Sequence, residues 1–328
     1  MRAVVCLVVL CVLLFSFSLT ASAQSCGVTS GIALTSTFRL GYLDHYEGFS
    51  LSANASDGDQ TAKTPLRGAW LELELGSHPS RYTGVALTGG LLLPGGSTGL
   101  ASHHPPDPLD SNPDISAYGT DMEWWLLDLR GSYEVAGTCQ VIGGFRWDHM
   151  NTRFGTERSP FTAALPAGSV SVDLPDGFGN FKFNSLIPYV GLQYQHPAPE
   201  NSLTVRLIGF PMVFGEVKQQ SVIPSWDVFV FPTVVTGLGG SAFTGSFESG
   251  HFLEFFAEYS MDVLGSGTLG FFLRWNLLAA TTRVADSDAS VNLGGTNFYG
   301  QAPVDLNYHK TSWTLGGSFS MEFGLPCW

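Results

Sequence analysis

The sequence is short of charge, of lysine and of long apolar runs, and each shortage excludes a class of protein. Only 13% of its 328 residues are charged, about half of the roughly 25% usual in soluble domains. Lysine occurs only at Lys63, Lys182, Lys218 and Lys310, and the net charge is −13. A nucleic-acid binder needs clustered positive charge to displace counterions, so no nucleic-acid partner is expected. Disordered chains combine few aromatics with many charges; this chain is 13% aromatic, with 24 phenylalanines. After Gln24 no stretch approaches the roughly 20 apolar residues of a membrane helix. The 44% of residues that are hydrophobic must therefore hide in a large core or in lipid.

The N-terminus points to export. Met1-Arg2 is a short positive region, Ala3 to Leu19 is almost unbroken apolar sequence, and Thr20-Ala21-Ser22-Ala23 has the small-x-small pattern of a signal-peptidase site. Residues 1–23 are expected to be a cleaved signal peptide, with cleavage before Gln24 and a single barrel domain over 24–328. A lipid anchor on Cys26 fits less well, because Ala23-Gln24-Ser25 lacks the leucine and small-residue pattern it requires. Cleavage removes Cys6 and Cys11 and leaves Cys26, Cys139 and Cys327. Export favours one disulfide with one thiol over. No CxxC spacing suggests zinc, and no histidine is placed to activate a cysteine.

What recurs along the chain is alternation with period two, the mark of a strand with two unlike faces. Trp313, Leu315, Gly317, Phe319, Met321 and Phe323 share one face; Ser312, Thr314, Ser318, Ser320 and Glu322 share the other. Leu253, Phe255, Ala257, Tyr259 and Met261 likewise oppose Glu254, Glu258, Ser260 and Asp262, and Leu269 to Leu277 opposes Arg274 and Asn276. The pattern predicts ten strands near 35–50, 66–76, 80–94, 122–135, 138–153, 185–196, 202–217, 250–264, 268–284 and 309–325. Short turns fall near 76–79, 136–138, 196–199 and 265–267, and long polar loops at about 51–65, 95–121, 154–184, 218–249 and 285–308. Tight turns on one side and long loops on the other describe an all-β, transmembrane antiparallel β-barrel of the bacterial outer membrane. A soluble sandwich would have strands nearer five or six residues, and closure removes the edges that lipid cannot satisfy.

Folding the pattern into a barrel sends most of the scarce charge inward. The polar faces carry Arg39, Arg130, Arg146, Arg206 and Arg274 with Glu72, Glu74, Asp128, Asp148, Glu254, Glu258, Asp262 and Glu322. A ten-stranded barrel is narrow, and unpaired buried charge is costly, so these groups are expected to form an ion-pair network that fills the lumen. A charged conduction path is the sharper alternative.

Three segments carry a family resemblance. Ile187-Pro188-Tyr189-Val190-Gly191-Leu192, Val141-Ile142-Gly143-Gly144-Phe145 and the closing Gly316-Gly317-Ser318-Phe319-Ser320-Met321-Glu322-Phe323 resemble the sixth, fifth and last strands of the omptins, outer-membrane aspartyl-type endopeptidases. The resemblance implies a ten-stranded barrel with five large outer loops and a final aromatic residue read by the barrel-assembly machinery. It also implies a water activated between an aspartate pair and an aspartate–histidine pair. Those residues do not carry over. The second long loop holds Asp107, Asp110 and Asp114 rather than a spaced Asp-x-Asp. The fourth reads Ile223-Pro224-Ser225-Trp226-Asp227-Val228-Phe229-Val230-Phe231-Pro232, with no histidine before His251. The superfamily also contains ten-stranded adhesins without these pairs, and that pattern fits better.

No other motif demands chemistry. Neighbouring histidines in His103-His104-Pro105-Pro106-Asp107 point apart if extended, and the prolines suggest a rigid spacer. Asp286-Ser287-Asp288-Ala289-Ser290 resembles the opening of a calcium loop but lacks the later glycine and glutamate, so a solvated turn is expected. Asp57-Gly58-Asp59 reads as a turn of the first loop. No metal or cofactor is expected. The apolar segment 223–240 is too hydrophobic for a free loop; it folds into the barrel mouth, lies on the outer leaflet or meets a partner. At the end, Pro326 would interrupt a ladder, so Gly324 to Trp328 is expected to be a periplasmic extension, unless Trp328 is itself the assembly signal. Cys26 and Cys327 flank the seam between first and last strands and could be bridged there, with Cys139 the other candidate partner.

The resulting expectation is an outer-membrane barrel that touches lipid and the assembly machinery. It would serve surface recognition, adhesion or envelope structure, through loops that meet a surface ligand or matrix partner. A small or gated channel is the second reading, and an endopeptidase with a displaced active site the third.

Overall fold

The computed structural model describes residues 33–53, 57–78, 80, 82–93, 100–103, 115–158, 161–165, 168–172, 177–197, 201–230, 233–263, 267–293, 296–300 and 304–324. The signal segment, Cys26, Cys327, His104, Asp107, Asp110 and Asp114 lie outside them. The strands in chain order are β1 (Ala33–Ala53), β2 (Asp57–Ser77), β3 (Thr83–Leu92), β4 (Leu100–His103), β5 (Ile115–Ala136), β6 (Cys139–Arg158), β7 (Phe161–Leu165) and β8 (Gly168–Val172). They continue as β9 (Gly177–Pro197), β10 (Asn201–Phe210), β11 (Phe214–Val230), β12 (Thr233–Val263), β13 (Gly267–Leu293), β14 (Thr296–Gly300) and β15 (Val304–Gly324).

Antiparallel pairing runs from β1 through β2, β3, β5, β6 and β9 to β10 and β11, then through β12, β13 and β15. The pairing of β15 with β1, from Ala33 opposite Gly324 to Ser52 opposite Asp305, closes the circuit. With β10 and β11 as one interrupted stave, the barrel has ten staves. β4 continues the β3 stave upward against β2 and β5, β14 folds back on β13, and β7 with β8 forms a separate hairpin. β5 and β6 join through a tight turn in which Gly137 adopts φ +43°, a conformation that costs glycine nothing.

The outward face carries an apolar band, as a tilted strand crossing a bilayer requires. On β6 it comprises Val141, Phe145 and Trp147; on β9, Leu186, Val190 and Leu192; on β15, Trp313, Leu315 and Phe319, all exposed. Paired tryptophans cap this band, Trp125 with Trp147 and Trp275 with Trp313, and the exposed Tyr82, Tyr133 and Tyr194 lie towards the short turns. Rings at both borders are the usual girdles of a membrane barrel. Above the tryptophans the outward face turns polar. Asp44 meets Arg67 there, and His149, Asn184, Glu216 and Lys218 follow on neighbouring staves.

The strands are longer than the alternation predicts. The first loop is mostly the β1–β2 hairpin, and β5, β9, β12, β13 and β15 all extend into regions read as loop. Alternation records the contrast between lipid and lumen; above the lipid both faces meet polar surroundings, so the pattern fades although the ladder continues. Asp57-Gly58-Asp59 accordingly begins β2, and Asp286 to Ser290 is strand within β13, Asp286 opposite Thr244, rather than a solvated turn. Segment 223–240 lies in a β-hairpin, with β11 paired to β12 as far as Val230 opposite Thr233.

The predicted strand 202–217 is broken at Pro211-Met212-Val213, between β10 and β11. Below the break Arg206 and Ile208 are buried inside; above it the buried residues are Val213 and Val217. The inserted residues reverse the facing of the stave, as a bulge does. Gly215 ends the break at φ 150°, where a Cβ would strike the carbonyl oxygen of Asn184. β12 shifts register at a similar height, between Phe247 and Ser249.

Candidate functional site

Staves of alternating polarity leave their inward side chains to fill the lumen, and they do so in layers. At the short-turn end lies a polar cavity of about 720 Å³. Hydroxyl and amide side chains such as Thr37, Ser132, Gln140, Gln193 and Ser260 form its wall, and Arg39, Arg130, Arg206 and Glu258 form its floor. Asp262 and Glu322 line it too, exposed and apart from the ion pairs below.

The floor is the first face of a charged belt. Arg39 reaches Glu72 at 2.8 Å, Glu74 at 3.1 Å and Glu258 at 2.8 Å, and Arg130 reaches Glu74 at 2.9 Å. Arg146 bridges Asp128 at 3.0 Å and Glu254 at 2.6 Å, while Arg206 meets Glu254 at 3.1 Å. Arg274 donates to both oxygens of Glu72. Five arginines thus share five carboxylates, and no net charge is left in the belt. Neutral dipoles complete it: Tyr189 donates to Asp128 at 2.7 Å and Trp70 to Glu72 at 3.4 Å. Phe256 lies under three guanidinium groups, those of Arg39, Arg206 and Arg274, at 5.1, 4.5 and 5.4 Å from its centroid. Such contacts strengthen when desolvated.

An apolar cluster fills much of the lumen above the belt and reaches down past it at Ile142, which lies nearer the short turn than Arg146 on β6. Leu43, Trp70, Trp124, Ile142, Met150, Phe183, Ile187, Ile208 and Leu278 belong to one buried cluster. Trp70 packs on Trp124 at 4.9 Å, and Phe183 stacks on Tyr308 at 4.5 Å. Asp148 lies within this layer rather than in the belt. It pairs with Lys310 and accepts from Trp124 Nε1 at 2.5 Å, and Lys310 Nζ sits 4.9 Å over the Trp124 ring. Buried His45 and Glu47 lie beside this pair, His45 with its ring 4.9 Å from Trp124.

Of the thirteen charged residues read as lumen-facing, ten meet in the belt, Asp148 sits higher and Asp262 and Glu322 line the cavity. Lys310, His45, Glu47 and Phe256 were not singled out by sequence reasoning. A signal for three of them existed: His45 and Glu47 share the parity of Arg39 on β1, and Lys310 shares that of Ser312 and Thr314 on β15. Cys139 is exposed with a free thiol at the short-turn end. His103 lies in β4, opposite Gln60. Among the described residues no group of three histidines, cysteines or carboxylates is placed to hold a metal.

The sequence matches no protein-family profile and no curated protein. Solved structures do match in fold. The outer-membrane protease OmpT from Escherichia coli superposes with a TM-score of 0.56 at 11% identity, over 90% of this chain and 99% of that one. A Pseudomonas aeruginosa FadL homologue matches with a TM-score of 0.33 at 9% identity, over 89% and 90% of the two chains. Ail of Yersinia pestis, an attachment invasion locus protein, matches with a TM-score of 0.24 at 13% identity, over 89% and 100%. Identities this low speak to fold alone. The OmpT superposition, with the closed circuit of ten staves, shows that the chain has the fold of a closed, ten-stranded antiparallel outer-membrane β-barrel.

Proposed function

We propose that this chain is a non-catalytic outer-membrane barrel whose sealed interior stabilises a wall that carries a recognition surface, for adhesion or for organising the envelope. The observation that supports this best is the filled lumen. A conducting pore needs a continuous wet path, and here a neutralised belt of ten charged groups is roofed by a packed aromatic layer. Long staves add a second support. β12 runs for 31 residues, about three times what one membrane crossing requires, and the surplus lies beyond the tryptophan border. Strand of that length holds loops away from the surface, as recognition requires and transport does not. Lipid around the apolar band, the assembly machinery at β15, and a surface or matrix ligand at the long loops are the partners this reading implies.

The channel reading draws on the polar cavity at the short-turn end, which enters the lumen but stops at the belt. The protease reading has less support, because the β11–β12 hairpin carries Asp227 and no histidine. The test is binding of the refolded full chain to arrayed glycans and matrix proteins, beside a variant in which residues 219–241 are replaced by a short turn. Saturable binding that disappears with the hairpin is expected. Binding that is absent from the full chain, or unchanged by the trimming, would count against recognition through this surface.

A further inference from the structure

Eleven buried side-chain polar atoms among the described residues make no well-formed hydrogen bond within the protein, and six of them gather in one place. They are both ring nitrogens of His45, Oε1 of Glu47, Oδ1 of Asn276, the Tyr308 hydroxyl and Oγ of Ser312. His45 is opposite Ser312, and Ser312 is opposite Asn276, so these three form a row across β1, β15 and β13. One inward step higher, Glu47 is opposite Lys310, and Tyr308 faces the Glu47 carboxylate. All five side chains point inward, with residue exposures of 1% for His45, 3% for Glu47, 7% for Asn276, 1% for Tyr308 and 0% for Ser312. Below the row lie Thr314 and Arg274; beside it lies the Asp148–Lys310 pair, whose charges satisfy each other.

Buried groups of this kind carry a large desolvation cost unless something bonds to them. Their chemistry selects the occupant. A neutral imidazole presents one donor and one acceptor, and both His45 nitrogens are open. A cation would leave the ring N–H unsatisfied, and an anion would leave the ring lone pair unsatisfied and be repelled by Glu47. Water donates and accepts at once, and it occupies polar interior sites where several partners converge. We propose that His45, Glu47, Asn276, Tyr308 and Ser312 form an internal binding site for ordered water. The site continues the hydrogen-bonded network upward from Arg274 and Glu72 towards Lys310 and Asp148. It runs along β13, β15 and β1, the staves that close the barrel.

Magnetisation transfer from water to the His45 ring N–H tests this, measured by NMR on the full chain refolded in micelles with ¹⁵N-labelled histidine. His45→Gln identifies the signal. The expected result is transfer to His45 with the sign of long-lived bound water. In the Ser312→Val, Asn276→Leu double variant, which removes the polar row, that transfer should be lost while heat-modifiable migration on gels persists. A His45 ring N–H without transfer in the wild-type chain would overturn the proposal, as would undiminished transfer in the folded double variant. If the double variant does not fold, the wild-type signal alone decides.

Discussion

Two parts of one lumen, enclosed by the same ten staves, are filled by different chemistry. Near the short turns the filling is ionic: Arg39, Arg130, Arg146, Arg206 and Arg274 against Glu72, Glu74, Asp128, Glu254 and Glu258. Higher up it is a packed layer of Trp70, Trp124, Phe183 and Tyr308 with aliphatic neighbours. The difference teaches what each filling contributes. A buried ion pair gains little over an apolar pair of the same size, but losing one partner is expensive; the belt therefore fixes which stave faces which. The aromatic layer removes area from water and tolerates no void; it supplies stability and fills the upper lumen.

The contrast is sharpest at Glu254, the carboxylate that Arg146, Arg206 and Arg274 share. Glu254→Ala leaves the buried Arg206 guanidinium without a carboxylate and takes one of two carboxylate partners from Arg146 and Arg274; it is expected to cost about 4 kcal/mol, read as a lower midpoint in urea unfolding of the refolded chain. Phe183→Ala opens a void in the upper layer, and a cost of about 3 kcal/mol is expected by the same measurement. If the upper substitution costs far more than the lower, the belt is not the costlier filling to break. Phe256→Leu keeps apolar volume but removes the ring beneath three guanidinium groups; about 1 kcal/mol is expected. Asp44→Ala breaks a pair in which Asp44 is 51% and Arg67 69% exposed, and it should move the midpoint by less than about 0.5 kcal/mol. A larger effect would mean that charge outside the lumen matters as much as charge within it.

Sequence alone reveals the lower filling far better than the upper. Arg39, Glu72, Arg146 and Arg274 interrupt strongly alternating strands, so both their facing and their need for partners follow from the pattern. The upper layer is hidden because Phe183, Ile187 and Leu278 are apolar on the face that alternation assigns to polar residues, with apolar neighbours such as Leu186 and Leu277 on the other. There the two faces cease to differ and parity loses its contrast. The break at Pro211-Met212-Val213 reverses parity within one predicted strand, so Val217 inside and Glu216 outside cannot be assigned by extrapolating from Arg206. Lys310 shows the opposite case. Two residues above Ser312 on an unbroken stave, it was within reach of the same parity argument that placed Thr314.

The account stands on the belt and the aromatic layer together sealing the bore. Planar-bilayer recording of the refolded full chain tests this most directly. A sealed barrel gives no steady conductance at moderate voltage, with rare brief openings at most. Steady, ohmic single-channel steps from the wild-type chain would contradict it.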